Sequence, residues 1–518
     1  MESIGSLILL IIIFYFMFKF IGIIFSKMTN IRFEPLNNTL INPLQASFNF
    51  LFRPRSGDDG MMKKVDEKKL FSKFNDGLLI DGKNKKLSSI ESFNHLALIS
   101  RTGGGKTSTY VLPNIYNLAN EKCSMVITDL SGEIFNKTSG YLKQRGFNIY
   151  VLDPENLESS NRYNPLIYAT NSIGIDLLSD ILISSSGLKG EKAEDRIWSD
   201  GAKNIISILI RVLKGTNDLR YMNLANVRYL LNNFRIELDD EKKEPINEFV
   251  KRYADDKTFN EYQALIQGNE KTIQSFLSTA NIALSSIGIN ENLEKLTFSH
   301  DIDFKKLRDE KSVVYIKIKE NSQEQYSFLL NLFYSQLFNE MMKKLPSKKD
   351  LPIYCILDEF GNMKIPNFST VITTVRKYKI SLSIILQNLN QLDEKYTSLK
   401  AKTIFDGGIA SKLILSGADL ELASNLERMF GNKRVVEKDA QGQDYYEKVR
   451  VMDASEIITM QDNEALYVYA NKKPLKLEIK PYYKDFTFNS YSKIKPYLFK
   501  NPNAYDYITY VDLENIEW

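Results

Sequence analysis

Two short stretches of this chain pair a phosphate cradle with a metal-holding carboxylate. The first, Ser100-Arg101-Thr102-Gly103-Gly104-Gly105-Lys106-Thr107, lies between an apolar run, His95 to Ile99, and a helix-compatible segment. That is the strand, loop and helix context a phosphate-binding loop needs. Its three glycines let the backbone curl with N–H groups turned inward, a nest for phosphate oxygens at the start of a helix. Lys106 is placed to pair with the β- and γ-phosphates of a nucleoside triphosphate, and Thr107 to offer its hydroxyl to magnesium. The second stretch, Tyr354-Cys355-Ile356-Leu357-Asp358-Glu359, is an apolar run ending in two carboxylates. Asp358 would hold the magnesium ion from the other side, and Glu359 is the candidate for polarising the attacking water. ATP and Mg2+ are therefore the implied cofactors. The usual loop opens with glycine where this chain has Ser100, and serine tolerates a tight turn less well. Singly, a Gly-Lys-Thr triplet fits a flexible loop, and an apolar run ending in Asp-Glu fits any buried strand meeting solvent. Both in this order make the site.

These stretches need a sheet to hold them. At 518 residues the chain can bury a large core and divides into two or three domains. Hydrophobic residues at 43% and charged residues at 25% are ordinary for a globular protein, and a net charge of +4 neither demands nor excludes a nucleic-acid partner. Cys123 and Cys355 each sit in or beside an apolar run and read as core residues in a reducing compartment. His95 and His300 have no Cys or His near them in sequence to build a zinc site.

From Ser3 to Phe25 the chain is almost wholly apolar, interrupted by Lys19, which fits a membrane-spanning helix of about twenty residues. A secretory signal peptide is the competing reading, against which stand the missing positive n-region and small-residue cleavage site. Lys19, Lys27 and Arg32 follow the bulk of the span and only Glu2 precedes it, so the N-terminus is expected outside and the large domain in the cytoplasm, anchored by a single pass in a bacterial plasma (inner) membrane. The expected organisation is an anchor over 1–28, a linker over 29–76, a first part of the nucleotide-binding domain over 77–172, an all-α insertion over 173–300, a second part over 301–481 and a tail over 482–518. Strand-like runs at Leu96–Ile99, Met125–Thr128 and Ile149–Leu152 precede the insertion. Helical spacing of Trp198, Ala202, Ile205, Ile206, Leu209, Ile210 and Leu213 marks it. Strand-like runs return at Val313–Ile318, Ile353–Leu357, Leu382–Leu386, Ser411–Leu415 and Leu466–Ala470. One parallel α/β sheet, interrupted by a helical domain, thus explains why the two motifs lie so far apart.

The ordered run of motifs resembles the type IV coupling proteins of conjugation and type IV secretion, the VirD/TraG/TraD group of RecA-like ATPases. It is carried by the loop followed by Val111-Leu-Pro-Asn114, then Ile127-Thr-Asp-Leu-Ser-Gly-Glu133, Val151-Leu-Asp-Pro154 and Asn164-Pro-Leu166. It continues through Leu357-Asp-Glu-Phe-Gly-Asn362, Arg376-Lys-Tyr-Lys379, Ile385-Leu-Gln-Asn-Leu-Asn-Gln-Leu392 and Asp453-Ala-Ser-Glu-Ile457 to Lys473-Pro474. The resemblance implies an α/β fold with a RecA-like P-loop NTPase sheet, an inserted all-α domain and an N-terminal transmembrane helix. It implies a membrane-anchored homo-hexameric ATPase that brings relaxase-bound DNA, single- or double-stranded, or secreted protein, to the components of a type IV secretion channel and drives transfer by ATP hydrolysis. It also places Gln387 as the glutamine that senses the γ-phosphate and Arg376 as an arginine finger reaching a neighbouring subunit, with Arg428 and Arg434 as rivals for that role. Two departures stand out: Leu130 and Ser131 replace a proline and a lysine, and one span stands where the family commonly has two. The open alternatives are a docking receptor whose nucleotide site only controls assembly, and a chromosome-segregation translocase of the FtsK type. Against the latter stand the single short anchor, the position of the insertion and the missing winged-helix signature. In the tail, Tyr482, Tyr483, Phe486, Tyr491, Tyr497, Phe499, Tyr505, Tyr507 and Trp518 lie among lysines, a pattern that suits packing on the core or docking a partner, with base stacking as the alternative.

Overall fold

Runs of Ile, Val and Leu too short for helices become strands buried on both faces. The computed structural model describes residues 60–186, 193–234, 245–438, 443–504 and 506–514. The expected anchor and most of the expected linker lie outside the described residues, and among those described no helix is long and apolar enough to cross a membrane. Seven strands, β1 (Leu96–Ile99), β2 (Ser124–Asp129), β3 (Asn148–Leu152), β4 (Ser312–Lys317), β5 (Ile353–Leu357), β6 (Ile380–Leu386) and β7 (Ser411–Leu415), pair in parallel in the order β7-β1-β6-β5-β2-β4-β3. After a two-stranded ribbon of β8 (Asn432–Lys438) and β9 (Asp444–Arg450), strand β10 (Glu464–Tyr469) runs antiparallel beside β7, and β11 (Leu475–Glu478) antiparallel beside β10. The residues divide into two compact units, one of Asp58–Arg434 with Tyr446–Trp518 and one that includes the ribbon tip Val435–Tyr445. The sheet and the site below belong to the first.

Each expected strand is present, β1, β5 and β7 with the expected bounds and the others displaced by a residue or two at an end. The short β11 escaped because its four residues alternate buried Leu475 and Leu477 with exposed Lys476 and Glu478, too brief a pattern to stand out. Strand side chains alternate between two cores. Leu96, Leu98, Met125, Ile127, Tyr315 and Ile356 pack with Tyr110, Ile115 and Tyr141 on one face. Ala97, Ile99, Val126, Ile316, Cys355 and Leu357 pack on the other with Leu178, Ile205, Leu209 and Phe333. Both cysteines are free and buried, and burial pushes each thiol up to about 12.

Between β3 and β4 the regular elements among the described residues are all helical, including Ser172–Ser185, Ala193–Gly215, Leu224–Asn232 and Glu270–Ala283. Ala202, Ile205, Ile206, Leu209, Ile210 and Leu213 are fully buried, forming the apolar stripe that the spacing requires. Trp198, in the same spacing, is instead 40% exposed and leans on Phe276. The insertion leaves the sheet intact, because β2 still pairs with β5 from Ser124↔Ile353 to Thr128↔Leu357.

The described part of the tail packs on the fold, while Tyr505 and Trp518 lie outside the described residues. Tyr491 stacks on Tyr141 with ring centroids 3.9 Å apart, and Phe488 leans on Tyr116. Further on, Asn501 donates to the Glu158 and Ser160 carbonyls, Arg162 donates to the Ala504 carbonyl, and Val511 and Leu513 are buried on the insertion's face of the sheet. Phe486 and Tyr507 remain about nine-tenths exposed.

Candidate nucleotide site

A parallel sheet gathers its ligand-binding loops at the carboxyl ends of the strands. Strand β6 lies between β1 and β5, so the loop after β1, Gln387 after β6 and Asp358-Glu359 after β5 converge there. The Ser100 N–H donates to the Leu386 carbonyl at 3.1 Å, carrying the β1–β6 pairing one residue further before the loop turns away.

Gly103 and Gly105 take φ of +76° and +84°, the left-handed region where glycine is needed, and Ser100 is not among the residues with positive φ. The turn that made Ser100 look ill-suited is therefore made elsewhere, and serine fits. Gly104 is required for a different reason: a Cβ there would lie 2.2 Å from Ser100 Oγ. Gly104→Ala is expected to cost about 1–3 kcal/mol by overpacking, read as a lowered melting temperature, and Ser100→Ala in the same chain should return part of it. Ser100→Gly alone should leave nucleotide binding near wild type. A harmless Gly104→Ala would refute the close packing.

Lys106, 8% exposed, donates from Nζ to Glu359 Oε1 at 2.9 Å. Glu359 Oε2 accepts from Gln387 Nε2 at 3.0 Å, and Gln387 Oε1 accepts from the Thr102 hydroxyl at 3.2 Å. The four side chains thus form one polar network across β1, β5 and β6. Glu359 has φ 51° and ψ 44°, a left-handed conformation that costs a non-glycine residue on the order of 1 kcal/mol or more. Behind the network, the Gln387 N–H donates to Gln391 Oε1 at 2.9 Å, and Gly361 leaves room for Gln391, whose Cδ would lie 2.4 Å from an added Cβ. Thr107 opens a π-helical turn, Thr107–Val111, that leads into the helix Leu112–Leu118.

The donor set fits magnesium and nucleotide. Gly103 has open space where a side chain would stand, Lys106 supplies an ammonium, and Thr107 and Asp358 supply hard oxygens. Among the described residues no cluster of three or more His, Cys, Asp or Glu side chains forms a closed metal cage. An ion held by Thr107 and Asp358 would complete its shell with phosphate oxygens and water. The histidines serve the fold: His95 Nδ1 accepts from the Leu382 N–H, and His300 Nδ1 from the Asn164 N–H.

The family described as "Type IV secretory system Conjugative DNA transfer" matches residues 61–504. The chain belongs to this family. Among its relatives, the protein VirD4 of Rhizobium radiobacter is 23% identical over 416 residues, 76% of this chain and 57% of that protein. The type 4 coupling protein DotL of Legionella pneumophila is 21% identical over 352 residues, 57% of this chain and 44% of that protein. The chain thus spans roughly half the length of these relatives. Its fold matches the conjugative coupling protein TrwB, with a TM-score of 0.64 at 16% identity over 82% of this chain and 94% of that one. TrwB has also been solved with ADP and Mg2+, and that structure matches with a TM-score of 0.63 at 16% identity, over 82% of this chain and 94% of that one. The expected α/β RecA-like NTPase sheet is the fold observed.

Several residues of this conjugative-transfer family member lie away from the network. Arg376 is exposed in the turn Val375–Tyr378, which enters β6 at its amino end, whereas Gln387 follows the carboxyl end. The seven-residue strand between them spans roughly 20 Å at ~3.3 Å per residue, so Arg376 does not reach its own loop. Arg428 is on the helix Leu420–Phe430, where it donates to Asn425, and Arg434 is in β8. The Arg101 guanidinium lies 3.5 Å from Asp462. Ser131, standing where lysine was expected, accepts the Glu133 N–H at 3.2 Å at the start of the helix Glu133–Gln144.

Asp358 accepts the Glu359 N–H at 3.2 Å. Burial, with the Glu359 and Asp129 carboxylates nearby, pushes its pKa up to about 7, against the opposing pull of Lys106. A carboxyl raised in the folded state contributes stability that is full below its unfolded value near 3.8 and is lost as pH rises through about 7. Asp358→Asn should therefore raise the melting temperature relative to wild type at pH 8, with the difference vanishing near pH 4. Equal differences at both pH values would contradict the raised carboxyl. Asp129 and Asp153 lie in motifs of the resemblance that carry no assigned role, and Lys317 lies at the end of a strand-like run without one. All three stand at the same end of the sheet.

Proposed function

We propose that this chain is the ATPase of a conjugative transfer machine, coupling relaxase-bound DNA, or a protein substrate, to a type IV secretion channel. The observation that carries the proposal is the Lys106–Glu359–Gln387 network at the ends of three adjacent strands in a member of the conjugative-transfer family. ATP would supply the phosphoryl group, and magnesium held by Thr107 and Asp358 would neutralise charge as it transfers. The backbone N–H groups from Gly103 to Thr107 orient the phosphates, and Lys106 exchanges Glu359 for phosphate oxygens. Glu359, released from Lys106, accepts a proton from water, while Gln387 holds its second oxygen and reads the γ-phosphate with its amide. Arg376, on the far end of β6, would act at the site of a neighbouring subunit in a homo-hexamer. Residues 1–28 would anchor the assembly in the bacterial plasma membrane with the motor in the cytoplasm.

ATP hydrolysis by the full chain, measured with and without single- and double-stranded DNA, tests the motor reading. Stimulation by DNA is the expected result, and absence of hydrolysis under every condition would favour a docking receptor instead. Protease added outside sealed cells should leave the large domain intact; its digestion would overturn the topology.

A further inference from the structure

Past Asp358, the carboxyl ends of the next three strands carry a row of charges in strict register. The pairing Thr128↔Leu357 puts Asp129 opposite Asp358, Asp129↔Lys317 is itself a paired position, and Leu152↔Ile316 puts Asp153 opposite Lys317. Side chains alternate along a strand, and these four follow Ile356, Ile127, Tyr315 and Val151, which all pack into the same core. The row therefore lies on one face, in the order Asp358, Asp129, Lys317, Asp153.

Its members are not equally satisfied. Lys317 donates to Asp153 Oδ2 at 2.8 Å, and Asp153 Oδ1 accepts the Glu155 N–H at 3.1 Å. Asp129 is fully buried, with Oδ2 accepting the Phe135 N–H at 2.7 Å, while Oδ1 makes no hydrogen bond of good geometry, although the Gly132 and Ile134 N–H groups at the same helix start also favour the charge. A buried carboxylate oxygen short of a well-aligned donor keeps part of its desolvation cost. Lys317 is the cross-strand neighbour of Asp129 and its cation acts on it, yet the amine closes on Asp153 on the other side.

We propose that Asp129 is a positioning residue of the nucleotide site, its Oδ1 accepting a hydrogen bond from a water of the magnesium ion that Thr107 and Asp358 hold, with the Lys317–Asp153 pair keeping that oxygen available. This rests on the nucleotide reading above. Its distinctive consequence concerns Asp153, which stands two strands away from Asp358 and touches no part of the phosphate loop. Removing the Asp153 charge releases Lys317, whose nearest remaining carboxylate in the row is Asp129. A lysine on Asp129 fills the oxygen meant for metal water and adds a positive charge beside the cation.

The test is the Mg2+ affinity of the full chain bound to ADP, measured by calorimetry alongside ADP affinity in EDTA. Asp129→Asn preserves an oxygen for the Phe135 N–H and turns an N–H toward the site, so it is expected to weaken Mg2+ by about tenfold, as outer-shell changes do, without altering ADP affinity in EDTA. Asp153→Asn should weaken Mg2+ in the same direction, and Asp153→Asn with Lys317→Met should return it to the wild-type value. A purely structural Asp129 would not show that rescue. Unchanged Mg2+ affinity in Asp129→Asn, or in Asp153→Asn should Asp129→Asn fail to fold, overturns the proposal while leaving the nucleotide reading intact. Wild type that binds no ADP, with or without Mg2+, overturns both.

Discussion

Glu359→Gln is expected to lower ATP turnover by about 10²–10⁴-fold, the range over which a positioned general base acts, while nucleotide binding holds or tightens. The two halves of this result have separate causes. Glu359 is the one carboxylate that Lys106 and Gln387 share, at 2.9 Å and 3.0 Å. An amide offers one oxygen to those two donors, so either Lys106 or Gln387 must turn away. If Lys106 is released, it meets phosphate without first breaking an ion pair, and affinity does not fall. Turnover does, because an amide cannot take a proton from water at neutral pH. Equilibrium binding of a labelled nucleotide and single-turnover hydrolysis separate the two effects. Were Glu359 only a structural counter-ion for Lys106, the variant would turn over ATP near the wild-type rate, and the assignment of the base would fail.

How far the site could be read from sequence depended on whether each residue's role is local. Lys106, Thr107 and Asp358 are read from short motifs because loop, strand and carboxylate are contiguous. Even there, local reading misjudged Ser100: the motif position says nothing of φ, and the left-handed turns fall at Gly103 and Gly105 instead. The strands were legible as apolar runs, and the insertion as a change of period from 2 to 3.6. What depended on register was hidden. Asp129 and Lys317 are paired positions on strands from opposite sides of the insertion, and nothing in either segment announces the other. The same holds for the tail, where Tyr491 meets Tyr141 face to face. A tyrosine among lysines reads equally as a stacking platform or a core ring until its partner is known. Arg376, expected to act in a neighbouring subunit, lies at the amino end of β6 and away from its own site, so its role depends on contacts beyond a single chain.

Lys106→Ala should remove both binding and turnover, and the comparison with Glu359→Gln assigns the two roles. A hydrogen bond to a charged group contributes about 1.5–3 kcal/mol, so losing the ammonium's contact with phosphate predicts a loss of roughly 10- to 150-fold in ATP affinity. The substitution also strands Glu359. Its carboxylate is 16% exposed and keeps only Gln387 as a partner, at a backbone position already in the left-handed region. Removing one member of a largely buried pair destabilises more than replacing both, because the survivor keeps its desolvation cost. Lys106→Ala should therefore melt lower than wild type in buffer without nucleotide, and the combination with Glu359→Gln should melt higher than Lys106→Ala alone, since a neutral amide needs no counter-ion. Lys106→Arg separates charge from shape: the wide guanidinium fork does not fit a pocket that leaves Lys106 8% exposed, so charge alone is not expected to restore affinity. If Lys106→Ala bound ATP as wild type does, the loop would not be the phosphate site, and the match between its glycines and the carboxylates after β5 would have to be explained by the fold alone.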